Sequence, residues 1–172
     1  NDKDNDLGIG AFIGCIDSMP KIELNNCHLT NSTITSDGGA RVGGLIGWTA
    51  GYNNQNDGPV DTHITIKKCS VEDCKITAKG SVGAIIGHAG NNPATYHTIE
   101  SCTVRNTELN STVDGSWRVG VVVGTANVGE VTITGTTSSG NTLTQTGKTA
   151  PAGHELYGRF VPGDTGKLTI DG

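Results

Sequence analysis

A short apolar strand closed by glycine at both ends recurs along this chain, and that recurrence limits the fold more than any other feature. Gly10-Ala11-Phe12-Ile13-Gly14 returns as Gly43-Gly44-Leu45-Ile46-Gly47, as Gly83-Ala84-Ile85-Ile86-Gly87 and as Gly120-Val121-Val122-Val123-Gly124. Gly158-Arg159-Phe160-Val161-Pro162 reads as a degenerate fifth copy. The copies stand about 33 to 40 residues apart, a period typical of repeat architectures.

A second block follows the first. Leu24-x-x-Cys27, Ile66-x-x-Cys69, Ile99-x-x-Cys102 and Ile133-x-x-Thr136 align without gaps, and seven positions after each Cys or Thr stands Ile34, Ile76, Leu109 or Leu143. Insertions fall only after the Gly-bounded strand and before the next one. One wall is therefore held constant while two edges vary. A single coil cannot bury its apolar side, whereas stacked coils set like residues over like. The spacing predicts interior ladders Ile13/Ile46/Ile86/Val123, Leu24/Ile66/Ile99/Ile133, Cys27/Cys69/Cys102/Thr136, Leu29/Val71/Val104 and Ile34/Ile76/Leu109/Leu143. The expected fold is all-β, a parallel β-solenoid (β-helix) of four to five coils, right-handed as parallel crossovers almost always are. Residues 1–172 form one domain, with coils at 8–40, 41–80, 81–117 and 118–157 and a partial terminal coil at 158–172. A β-sandwich is the rival, but a sandwich does not require the same offsets in four copies.

Composition agrees with many short strands: 26 Gly, aromatics at 4%, and abundant Thr, Ser and Asn. The flanking glycines suit corners with positive φ or close backbone approach. Pairs such as Asn25-Asn26 and Lys67-Lys68 read as corners between apolar positions. Five Cys is an odd number, no CxxC is present, and in-register stacking suits a disulfide poorly, so reduced, buried thiols are expected. A net charge of −5 with 12 scattered Lys and Arg speaks against nucleic-acid binding. No run reaches the roughly 18 apolar residues of a membrane span. No secretion signal opens the chain, so Asn1 reads as a mature or trimmed boundary.

These residues carry a resemblance. Arg41-Val42-Gly43 to Gly47 with Thr65-Ile66-Lys67-Lys68-Cys69-Ser70-Val71, and Ser81-Val82-Gly83 to Gly87 with Thr98-Ile99-Glu100-Ser101-Cys102-Thr103-Val104, resemble the GLUG-motif repeats of large bacterial surface proteins. The first copy keeps the pattern, the fourth loses its Cys, and the fifth stops after Leu168-Thr169-Ile170, as a cap would. The resemblance implies an adhesin-like stalk or display region, extracellular or on the bacterial cell surface, joined to other domains of a larger chain. It brings no catalytic residue with it.

Functional residues are therefore sought in the insertions. The stretches Trp48 to His63 and His88 to His97 follow the same strand in adjacent coils and should be neighbours. They gather Trp48, Tyr52, Asn54, Asp57, Asp61, His63, His88, Asn92, Tyr96 and His97, rings beside amides and carboxylates, the equipment of a sugar-contacting surface. The same residues also fit ordinary solvated loops whose rings cover a coil edge. His63, His88, His97 and Asp61 match no established metal spacing, and no metal or cofactor is expected. Asp2, Asp4 and Asp6 lack the Gly and distal Glu of a calcium loop and read as a solvated acidic lead-in. The Thr35/Thr77/Asn110/Thr144 column is too interrupted by charge at Lys75 and Glu108 for an ice-binding face.

Two function classes result. One is a non-enzymatic extracellular module, stalk or adhesive surface, with a surface glycan or a host or cell-surface protein as partner. The other is a polysaccharide-active β-helix, lyase or hydrolase, which needs carboxylates converging in one groove. No Gly-x-Ser-x-Gly, phosphate loop or HExxH occurs, and no catalytic residue is assigned.

Overall fold

The computed structural model describes residues 8–17, 19–38, 41–50, 52–54, 58–90, 92–127, 129–161, 163 and 166–171, with only the backbone at 52–54 and 58–60. Asp2, Asp4, Asp6 and Asp57 lie outside the described residues. The architecture is an all-β parallel solenoid of about four turns, with no helix among the described residues. Each coil contributes one strand to each of five faces. In the second coil these are Arg41–Gly43, Ile46–Thr49, Thr62–Lys67, Ser70–Glu72 and Lys75–Ala78. Every strand pairs in parallel with its counterparts one coil before and after, except for two local antiparallel pairs.

All five expected ladders form. Ile46 pairs with Ile13 and Ile86, and Ile86 with Val123. Ile99 stands between Ile66 and Ile133, and Leu109 between Ile76 and Leu143. Ile46, Ile66, Ile76, Ile86, Ile99 and Leu109 are all fully buried. Alternation explains the third face: along Thr62–Lys67 every second residue points inward, because successive strand side chains leave opposite sides.

The corners have a rule of their own. Asn26, Lys68, Ser101 and Gly135 take left-handed φ at the third-to-fourth-face corner, and Asn31, Asp73, Asn106 and Gly140 do so at the next. Directly after each stands a short donor. Cys69 Sγ lies 3.2 Å from the Lys67 carbonyl and 3.6 Å from Leu24 O of the preceding coil. Cys102 makes the same pair of contacts to Glu100 O and Ile66 O. At the second corner Cys74 reaches Glu72 O, Thr107 reaches Arg105 O, and Asn141 Nδ2 donates to Val104 O. Cys27, Cys69, Cys74 and Cys102 are thus corner donors as well as small apolar fillers, whereas Cys15, opposite Trp48 on the second face, is exposed rather than buried as expected. All five thiols are unpaired, and burial pushes that of Cys69 up to about 11, which keeps its proton in place. Cys102→Thr should therefore stay within about 1 kcal/mol of wild type in urea unfolding, whereas Cys102→Val, with no donor, should cost about 1 kcal/mol more than Thr. Equal stability of the two variants would refute a donor role.

The repeat glycines answer to close approach rather than to positive φ. Gly43, Gly47, Gly83, Gly87, Gly120 and Gly124 all have ordinary φ, yet a Cβ on any of them would overlap backbone atoms at 2.7 Å or less. The first face folds directly onto the second, and backbone crosses backbone there. The last copy obeys the same constraint and corrects its reading in the sequence. Tyr157 pairs with Val123 and Arg159 with Thr125, so Gly158 stands opposite Gly124, not Gly120. A Cβ on Gly158 would lie 2.4 Å from both Gly124 O and Val119 N, so only glycine fits at that register. Leu156 and Tyr157 thus take the positions of Val122 and Val123, while Phe160 pairs with Ala126 and packs against the core.

Candidate functional site

The two insertions do lie side by side, both joining the second face to the third. The Gly90 N–H donates to Thr49 O and the Thr62 N–H to Ala94 O, tying the loops together across coils. The longer one contains an antiparallel hairpin, Tyr52–Asn54 against Gly58–Val60. The side chains of Tyr52 and Asn54 are outside the described residues, as is Asp57 altogether.

The remaining candidates separate into three environments. On the outside of the third face, His63 and Tyr96 are register partners, and their rings stack with centroids 4.9 Å apart at 15°. His63 and Asp61 are exposed and Tyr96 half-buried, so the stacked pair stands at the outer surface beside the loops. On the second face Trp48 and His88 are register partners. Trp48 is half-buried under the Arg41 guanidinium, 4.1 Å from the ring centroid, while His88 is buried. Asn92 is also buried, its Oδ1 accepting the Ala94 N–H and so shaping the shorter loop.

His97 is not an edge residue. It occupies an inward position of the strand Thr95–Glu100, between Ile64 and Val131 in a ladder that is otherwise aliphatic. Its Nδ1–H donates to Glu130 O at 3.1 Å, leaving Nε2 to accept from the Thr49 hydroxyl at 2.7 Å. Thr49 Oγ1 in turn accepts the Gly90 N–H. The alternation read backwards from Ile99 was the signal that would have placed this side chain inside.

Burial holds the His97 imidazole at a pKa of about 4, below its ordinary value, with the bond to Glu130 O opposing the shift. The unfolded chain binds a proton near pH 6.5 and the folded one only near 4. Stability is thus complete above pH 6.5 and falls as the pH drops through that window. A loss of about 2 kcal/mol is expected between pH 7 and pH 5 in urea unfolding. His97→Gln should flatten that slope; an unchanged slope would contradict the assignment.

The sequence reading missed the furrow where the first and second faces meet. Arg41, Ser81 and Arg118 form one column of the first face, and Trp48, His88, Thr125 and Arg159 one column of the second. The columns touch: Ser81 Oγ and Thr125 Oγ1 are 2.7 Å apart. Only alignment of the coils at the residue preceding each Val-Gly pair would have exposed this basic column.

Among the described residues no group of three or more His, Cys, Asp or Glu converges to hold a metal ion, and no helix is long and apolar enough to cross a membrane. Glu72, Glu100 and Glu108 each pair across coils with Arg105, Lys67 and Lys75. Such exposed pairs contribute little to stability but align neighbouring coils. Comparison with protein-family models, with curated proteins and with solved structures finds no match to this chain.

Proposed function

We propose that the chain is a non-enzymatic extracellular module of a bacterial surface protein, a stalk whose loop-bearing edge contacts glycans. The observation that carries the reading is the stacked His63–Tyr96 pair, two partly exposed rings set on a rigid strand pair beside Asp61 and the two insertions. Sugars pack their apolar faces on such rings, and neighbouring polar groups read their hydroxyls. The constant wall supports a stalk role, since each coil needs only its neighbours and the array extends by repetition. The resemblance to GLUG-motif repeats supports the bacterial surface setting.

A glycan array with the purified chain tests this. Wild-type protein should retain a defined subset of glycans, and Tyr96→Ala should weaken binding at least tenfold, about 1.4 kcal/mol. Trp48→Ala reports whether the furrow ring joins the contact surface. Equal binding by wild type and Tyr96→Ala would remove the ring edge from the account. Release of new reducing or unsaturated ends from any bound glycan would overturn the non-enzymatic reading.

A further inference from the structure

The furrow between the first and second faces concentrates positive charge and hydrogen-bond donors in a protein of net charge −5. Arg118 takes the register position of Arg41 two coils further on, roughly 9.6 Å away at two rungs of the ladder. Arg41 has the Trp48 ring to lie over. At the matching position beside Arg118 the ring is replaced by the short Thr125, followed in the next coil by Arg159.

Burial pushes the Arg118 pKa below its ordinary value, and the positive charges of Arg159 and Arg41 push it the same way. A fold seeking only stability has no use for such a cluster, because like charges repel and desolvation penalises each one. Two buried donors of this furrow, Arg118 Nε and the Trp48 indole N–H, have no protein acceptor. Neither group can accept a hydrogen bond, so both call for an acceptor-rich partner. The planar forks of two arginines match the oxygens of a carboxylate or sulfate in particular.

We propose that this furrow is an oxyanion-binding site, in which Arg118 and Arg159 grip a carboxylate or sulfate group and Arg41 supplies further positive potential. The group is either a free ion or an acid borne on a sugar. The site is separate from the His63–Tyr96 edge and does not depend on that edge contacting glycans.

Calorimetric titration of the full chain with sodium sulfate, and separately with an oligosaccharide of alternating uronic acid and sulfated hexosamine, tests the site at constant ionic strength set by chloride. An uncharged oligosaccharide of equal length is the control. Wild type should bind at least one acidic probe, and Arg159→Gln and Arg118→Gln should each weaken it at least tenfold, with Arg118→Lys between. Comparable affinity for both acidic probes assigns a free ion; much tighter binding of the oligosaccharide assigns a sugar-borne acid. Tyr96→Ala should leave sulfate binding unchanged. In chloride alone, Arg118→Gln should melt no lower than wild type, because removing the charge relieves repulsion. Absence of binding to either acidic probe, or unchanged binding in both Gln variants, would overturn the proposal. So would a marked fall in melting temperature for Arg118→Gln without sulfate, which would make that arginine a structural support. Should Arg118→Gln fail to fold, Arg159→Gln on the final strand decides alone.

Discussion

Gly87→Ala is expected to cost about 3 to 5 kcal/mol, enough to leave much of the chain unfolded at 37 °C, since whole domains are stable by only about 5 to 15 kcal/mol. The added Cβ would stand 2.5 Å from Val42 C, 2.6 Å from Val42 N and 2.6 Å from Gly47 O. All three are backbone atoms held in parallel ladders, so no side chain can rotate away to make room. Relief requires lifting the first face off the second, which breaks the strand pairing of the coils on either side. Gly38→Ala is the matched control. Its nearest neighbour would be the Ser36 hydroxyl at 3.9 Å, and its effect should stay within about 0.5 kcal/mol. Urea unfolding followed by circular dichroism measures both. Similar midpoints for the two variants would contradict the close approach of the faces.

Ile99→Ala should cost about 3 to 4 kcal/mol, within the range for emptying a buried aliphatic site. Ile99 is fully buried between Ile66 and Ile133, and the strands carrying these residues are fixed by parallel pairing. Coils cannot move closer than the strand spacing of about 4.8 Å, so the cavity has little scope to collapse. Leu143→Ala, at a partly buried ladder position near the end of the stack, should cost less, about 2 kcal/mol. A loss below about 1 kcal/mol for Ile99→Ala would mean that the ladder is not a packed interior.

What the sequence made legible was whatever repeats by residue type. The wall from Leu24 to Ile34 returns with the same offsets because strand register forces like side chains over like, and pattern alone finds those ladders. The second corner escaped notice for a physical reason. Ser32, Cys74, Thr107 and Asn141 share no hydropathy class, only a short side chain able to donate to a corner carbonyl. In the terminal copy pattern alone makes Gly158 an opening glycine, while backbone approach makes it a closing one.

The candidate site was legible in part. Adjacency of the two insertions follows from their common position in the repeat, and the Gly90 and Thr62 hydrogen bonds realise it. Which residues face outward does not follow from loop membership. His97 lies two residues before Ile99 on the same strand and so shares its inward side, whereas Tyr96 lies outward beside His63. The Arg41/Ser81/Arg118 column shows only when the coils are aligned before each Val-Gly pair, because a Ser interrupts it. Its partner column mixes a ring, an imidazole, a hydroxyl and a guanidinium. Charge gathered by folding from distant coils leaves no local signature.

The central claim is that the chain is a stack of coils in parallel register, and methyl-to-methyl nuclear Overhauser contacts in protein labelled at Ile, Leu and Val methyls test it most directly. Leu24, Ile66, Ile99 and Ile133 should give cross-peaks only between successive members of that column. Ile66 should meet Ile99, and Ile99 should meet Ile133, while Ile66 and Ile133 show no direct contact. A strong Ile66–Ile133 cross-peak, or loss of the Ile66–Ile99 one, would contradict the solenoid.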